Sequence, residues 1–94
     1  MPVEKRLAVV SIIVEHEVAD VGKVNELITQ FGDCVAGRLG LPYPHRGVNI
    51  ITLVLDTTVE RLSALSGKLG KLPGIQVKSL MAKVSRTDGG KASS

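Results

Sequence analysis

Aromatic residues are nearly absent from this chain: one Phe, one Tyr and no Trp in 94 residues. The core must therefore be built from Val, Ile and Leu. Nucleic-acid binding by base stacking on a sheet has no rings to use. Cysteine is equally scarce. Cys34 stands alone, so no internal disulfide forms and a reducing cytoplasm is the expected setting. No apolar run approaches the ~20 residues of a membrane-spanning helix, which excludes an integral helical membrane protein. The start, Met1-Pro2-Val3-Glu4-Lys5-Arg6, leads directly into apolar residues without a small-residue cleavage site, against a signal peptide. Charge of either sign is modest: 22% of residues are charged, with a formal net charge of +3 that gives no strong pull toward polyanions.

What remains is a 44% hydrophobic chain of single-domain length. Arg6 to Val14 is rich in β-branched residues and apolar on both parities, the pattern of a strand covered on two sides. Asp20 is placed to cap a helix whose stripe is Val21, Val24, Leu27, Ile28 and Phe31. Gly32 stands where a helix end favours positive φ. Cys34 to Gly40 reads as a weaker strand, with Val35, Gly37 and Leu39 on one face. Pro42 and Pro44 then end it in a connector reaching Gly47. Val48 to Leu55 is a third strand, again apolar on both parities. Thr57-Thr58-Val59-Glu60 reads as a capping box, Thr57 forward and Glu60 back. A second stripe follows, Val59, Leu62, Leu65 and Leu69, ended by Gly70 and Pro73. Gly74 to Lys83 alternates as a half-exposed strand. Residues 1–84 make one domain, and 85–94 carry nothing to bury and read as a disordered tail.

The two halves repeat. Val21 and Val59, Val24 and Leu62, Leu27 and Leu65, Phe31 and Leu69, and Gly32 and Gly70 are each 38 residues apart. Two strand-helix-strand units with right-handed crossovers give an α+β, ferredoxin-like βαββαβ sandwich. Its antiparallel four-stranded sheet carries both helices on one face, with strands one and three central. Those two strands are apolar on both faces, while helices cover only one. A wet apolar sheet face of this size is rare on a monomer, so self-association is expected, as a homodimer or homotetramer through sheet faces or edges.

Chemistry is conspicuous by its missing parts. A Cys-x-x-Cys metal loop is absent. The loop after strand one, Glu15-His16-Glu17-Val18-Ala19-Asp20, repels the anion that acyl-phosphate hydrolysis must cradle. Ser66-Gly67-Lys68 lacks the earlier glycine and the following hydroxyl of a phosphate loop. His16, Cys34 and His45 match no zinc spacing, so no metal site is expected. No paired acid and base or activated nucleophile is visible, which points away from an enzyme. Direct DNA contact is disfavoured because no recognition element accompanies Lys5, Arg6, Lys83 and Arg86.

A set of segments nevertheless resembles a known family. Val9-Val10-Ser11-Ile12-Ile13-Val14-Glu15, Val24-Asn25-Glu26-Leu27, Arg38-Leu39-Gly40-Leu41-Pro42, Leu65-Ser66-Gly67-Lys68-Leu69-Gly70 and Pro73-Gly74-Ile75-Gln76-Val77-Lys78 are similar to the small regulators associated with iron-only hydrogenase systems. The resemblance runs from about Lys5 to Val84. It implies the ACT-like version of the ferredoxin fold, similar to the C-terminal domain of the nickel-responsive repressor but without its DNA-binding arm. It also implies a small effector, often an amino acid in ACT-like domains, held between subunits beside the first strand-to-helix loop. On this chain that region offers His16, Glu17, Asp20 and Gly22, with Tyr43 and His45 of the proline-bounded turn as a second wall. Ala19 stands where ACT domains usually have glycine, and His16 where they have aspartate. The third strand, Asn49 to Leu55, lacks the histidines that bind nickel in the repressor. The expectation is a non-enzymatic oligomeric regulator without a cofactor, sensing a small effector or docking a protein partner. The alternatives are a regulator that touches DNA directly and a structural accessory protein without a ligand.

Overall fold

A computed structural model describes residues 4–83; the expected tail, 85–94, lies outside the described residues. The strands are β1 (Arg6–Glu15), β2 (Val35–Tyr43), β3 (Val48–Thr57) and β4 (Ile75–Met81), and the helices are α1 (Val21–Gln30) and α2 (Val59–Gly70). The sheet is antiparallel with order β2-β3-β1-β4, so the two doubly apolar strands are central. This is the βαββαβ ferredoxin-like α+β fold expected from the internal repeat.

The helices start in register with that repeat. Asp20 caps α1, its carboxylate accepting from the Lys23 backbone N–H at 3.2 Å. Thr58, 38 residues on, caps α2 by accepting from the Arg61 N–H at 3.2 Å. The cap is therefore Thr58 and not Thr57. Thr57 is the last residue of β3, 1% exposed, and its strand position turns its hydroxyl into the core side. Glu60 accordingly closes no capping box with it.

One side of the sheet is the core. Ala8, Val10, Ile12 and Val14 of β1, with Ile51, Leu53 and Leu55 of β3, pack beneath Val24 and Ile28 of α1 and Leu62, Leu65 and Leu69 of α2. Burying one such side chain contributes roughly 1.5–3 kcal/mol. Val59 begins the second stripe yet is 46% exposed, and Val21, which begins the first, is 38% exposed.

Four further local expectations are corrected. Gly32 does not take positive φ; α1 ends instead in a 3-10 turn, Gly32–Cys34, where the Cys34 thiol donates to the Phe31 carbonyl at 3.2 Å. The ladder of β2 does not stop at the prolines. It runs through Pro42, opposite Asn49, to Tyr43, opposite Val48, since an edge strand tolerates a missing N–H. A register shift between Val35 and Gly37 also divides the face assigned to Val35, Gly37 and Leu39. Val35 pairs with Leu55 on the core side, whereas Gly37 and Leu39 lie with Val54 and Thr52 on the other. At the far edge β4 is shorter than Gly74 to Lys83, because Gly74 is a left-handed turn residue with φ 74°.

Candidate functional site

Two regions stand out. The first is the sheet face away from the helices, where residues paired across strands share a side. One row holds Leu41, Ile50, Ile13 and Gln76; another holds Val54, Val9 and Leu80, with Leu7 beyond. Between them runs the row Leu39, Thr52, Ser11 and Lys78. There the Ser11 and Thr52 hydroxyls approach to 3.4 Å, close enough for one to donate to the other. Leu80 and Leu39 are 70% and 67% exposed, which is extreme for large aliphatic side chains. Acidic Asp56 and Glu15 mark opposite ends of the central strands. Four strands of this length, about 4.8 Å apart, give a footprint on the order of 500 Å². The apolar surface predicted from the double patterning of strands one and three is thus the odd-numbered side of β1 and its neighbours.

The second region is the end of the sheet where the β1–α1 loop meets the Pro44–Arg46 turn. The loop is a tight bend: the Val18 and Ala19 N–H groups both donate to the Glu15 carbonyl, at 3.2 and 2.8 Å. It is fastened on two sides. The Glu15 N–H donates to the Gly74 carbonyl at 2.9 Å, and the His16 N–H to the Gly47 carbonyl at 3.0 Å. Gly47 has φ 66°, which lets the chain reverse into β3. Gly74 is packed so closely that an added Cβ would stand 2.9 Å from the Ala19 nitrogen and from Val18 Cβ.

This pinning opens a cleft of about 450 Å³ whose charged walls are Glu15, Glu17 and Arg46, with Gln76 beside them. Of the residues singled out in the sequence, Glu17 lines it, and His16 is tied to the adjoining turn through its backbone. Tyr43 and His45 stand next to each other, ring centres 6.1 Å apart, both exposed on the turn. Asp20 is occupied at the start of α1, where it caps the helix, and a Cβ added to Gly22 would come within 3.2 Å of its carboxylate. Arg46 belongs to the Pro42–Arg46 turn expected as the second wall, whereas Gly47 and Gln76 were not among the candidates, since only the tertiary fold brings the start of β4 to the loop.

The described residues have one carboxylate–guanidinium pair, Asp33 with Arg61, at 2.6 and 2.9 Å. The Arg61 hydrogen bonds hold the Asp33 carboxyl below its ordinary value, and the same contact raises Arg61. Arg61 and Lys68 also lie over the Phe31 ring, 5.1 and 5.8 Å from its centre. The pair therefore fastens α2 to the turn after α1. Among the described residues no three His, Cys, Asp or Glu side chains gather as metal ligands, and no helix is long and apolar enough to cross a membrane.

Comparison with known proteins agrees with this fold. Residues 6–79 match the TM1266-like family model, described as "Iron-only hydrogenase system regulator, putative". Among solved structures, the chain is similar to the uncharacterized protein TM1266 from Thermotoga maritima. The two are 39% identical with a TM-score of 0.81, over 85% of this chain and 100% of that one. No curated protein matches.

Proposed function

The chain belongs to the TM1266-like family of iron-only hydrogenase system regulators, and from that premise we propose that it works as a non-enzymatic regulatory module whose active form is an oligomer joined through the open sheet face. The observation that carries this reading is the exposed apolar array of Leu7, Val9, Leu41, Val54 and Leu80 on that face. Covering ~400 Å² of apolar surface on each of two copies yields roughly 20 kcal/mol gross at ~25 cal/mol per Å², against about 4–15 kcal/mol for association. The sign favours assembly.

Regulation then follows from linkage. A small effector or a protein partner shifts the module only as far as it binds one assembly state better than another. The cleft of Glu15, Glu17 and Arg46 supports a place for that reading, because it adjoins the open face through Val48 and Gln76. A carboxylate pair with one guanidinium suits a zwitterionic or cationic group better than a simple anion. The test is thermal unfolding of the full chain with amino acids, divalent metals and nucleotides, followed by light scattering with any compound that raises the midpoint. A ligand that stabilises the fold and changes the particle mass supports the reading. Stabilisation with no change in mass would remove assembly as the switch.

A further inference from the structure

On the helix side of the sheet, β2 is the strand the helices leave uncovered, and a groove of about 310 Å³ lies between it and α1. Its walls include Val21 and Asn25 of α1, Arg38, Gly40 and Pro42 of β2, and Asn49 of β3. The residues lining it include one cation and no acid. Arg38 Nη2 donates to Asn25 Oδ1 at 2.7 Å, which ties the guanidinium to the α1 wall of the groove. Arginine has five N–H donors, and among the described residues no carboxylate engages those of Arg38. At Gly40 the floor is open: an added Cβ would meet nothing within 4 Å.

The geometry points to a binding site for a small monocarboxylate with an apolar body, its carboxylate on Arg38 and its carbon chain over Gly40 toward Val21 and Pro42. Fixed guanidinium geometry favours a carboxylate, and the volume is at the small end of ligand sites. The lack of an acidic wall discriminates further. An α-ammonium would lie near Arg38 with nothing to neutralise it, so an amino acid fits worse than the same skeleton without its amine. The groove belongs to one copy of the chain, so this site stands or falls separately from pairing of the sheet face.

The experiment is an NMR titration of the full chain, reading the amides of Asn25, Arg38 and Gly40, with 4-methylpentanoate and phenylacetate as probes. The expected result is saturable shifts with a dissociation constant of about 1 mM or tighter, at least tenfold weaker for 4-methylpentanamide and for leucine. Gly40→Val fills the floor without meeting a neighbour, and Arg38→Gln removes the charge while keeping a polar side chain. Both variants should keep the unfolding midpoint near that of the parent and lose the shifts. Absence of saturable shifts with both acids would overturn the site. So would equal binding of the amide or of leucine, or retention of binding in either folded variant.

Discussion

The hydroxyls of Ser11 and Thr52 face each other 3.4 Å apart across β1 and β3, in the middle of a largely apolar stretch of the open sheet face that also carries Lys78 and Gln76. One hydroxyl donates to the other, so covering the pair would leave one O–H without a partner instead of two. Around it lie Val9, Ile13, Ile50 and Val54, and further out Leu80 and Leu41. A face arranged this way is suited to being covered by another such face.

Val54→Glu tests that directly. It places a carboxylate beside Val9, near the centre of the face, on a side chain already 39% exposed in one copy. The single chain should keep its fold, while self-association should weaken by at least ~100-fold, about 3 kcal/mol, because an unpaired charge would be covered. Sedimentation velocity over a concentration series measures the change.

Gly74→Ala should destabilise the fold by about 2–3 kcal/mol, lowering the unfolding midpoint by roughly 10–15 °C. Two costs combine. The residue sits at φ 74°, and the new methyl would press on the Ala19 nitrogen and Val18 at 2.9 Å. Gly47→Ala, with a similar φ of 66° but open space around it, should cost about 1 kcal/mol. Parallel melts of the two variants separate backbone strain from collision.

Thr57→Val should stabilise the protein by about 1 kcal/mol, seen as a higher midpoint in denaturant at unchanged slope. The Thr57 hydroxyl is buried without a hydrogen-bond partner, and valine keeps the shape while removing the unsatisfied group.

The Asp33–Arg61 pair predicts an acid-side effect. The folded-state value of Asp33 lies below its ordinary 3.8, through the Arg61 hydrogen bond first, so the pair's contribution is fully present above that ordinary value. It is lost as the pH falls through the folded-state value. Comparing Asp33→Asn with the parent across pH should give a stability difference that is constant near neutrality and vanishes in acid. The effect should be small, since both side chains face solvent.

Much of the architecture was legible in the residues because burial on two faces leaves a pattern that burial on one does not. Ala8, Val10, Ile12 and Val14 with their apolar odd-numbered neighbours marked β1 as central, and the 38-residue repeat fixed the helix starts at Val21 and Val59. Which side of β1 faces outward was not legible, since parity alone is symmetric. The course of β2 was misjudged because Pro42 reads as a stop signal until the strand is known to be an edge. The same strand's register shift at Ala36 is invisible to a period-two pattern. The proposed effector region was legible only in part: Glu17 announces itself as a charged loop residue, but Arg46 and Gln76 join it through chain reversals at Gly47 and Gly74. The Arg38–Gly40 groove needed the placement of α1 beside one edge and had no signature of its own.

The central claim is that one copy cannot leave its outer sheet face wet. Sedimentation equilibrium of the full chain at about 10 µM, where an interface of ordinary quality would be populated, tests it most directly. The expected mass is at least twice the 9.9 kDa of one chain. A single species of 9.9 kDa at that concentration would contradict it.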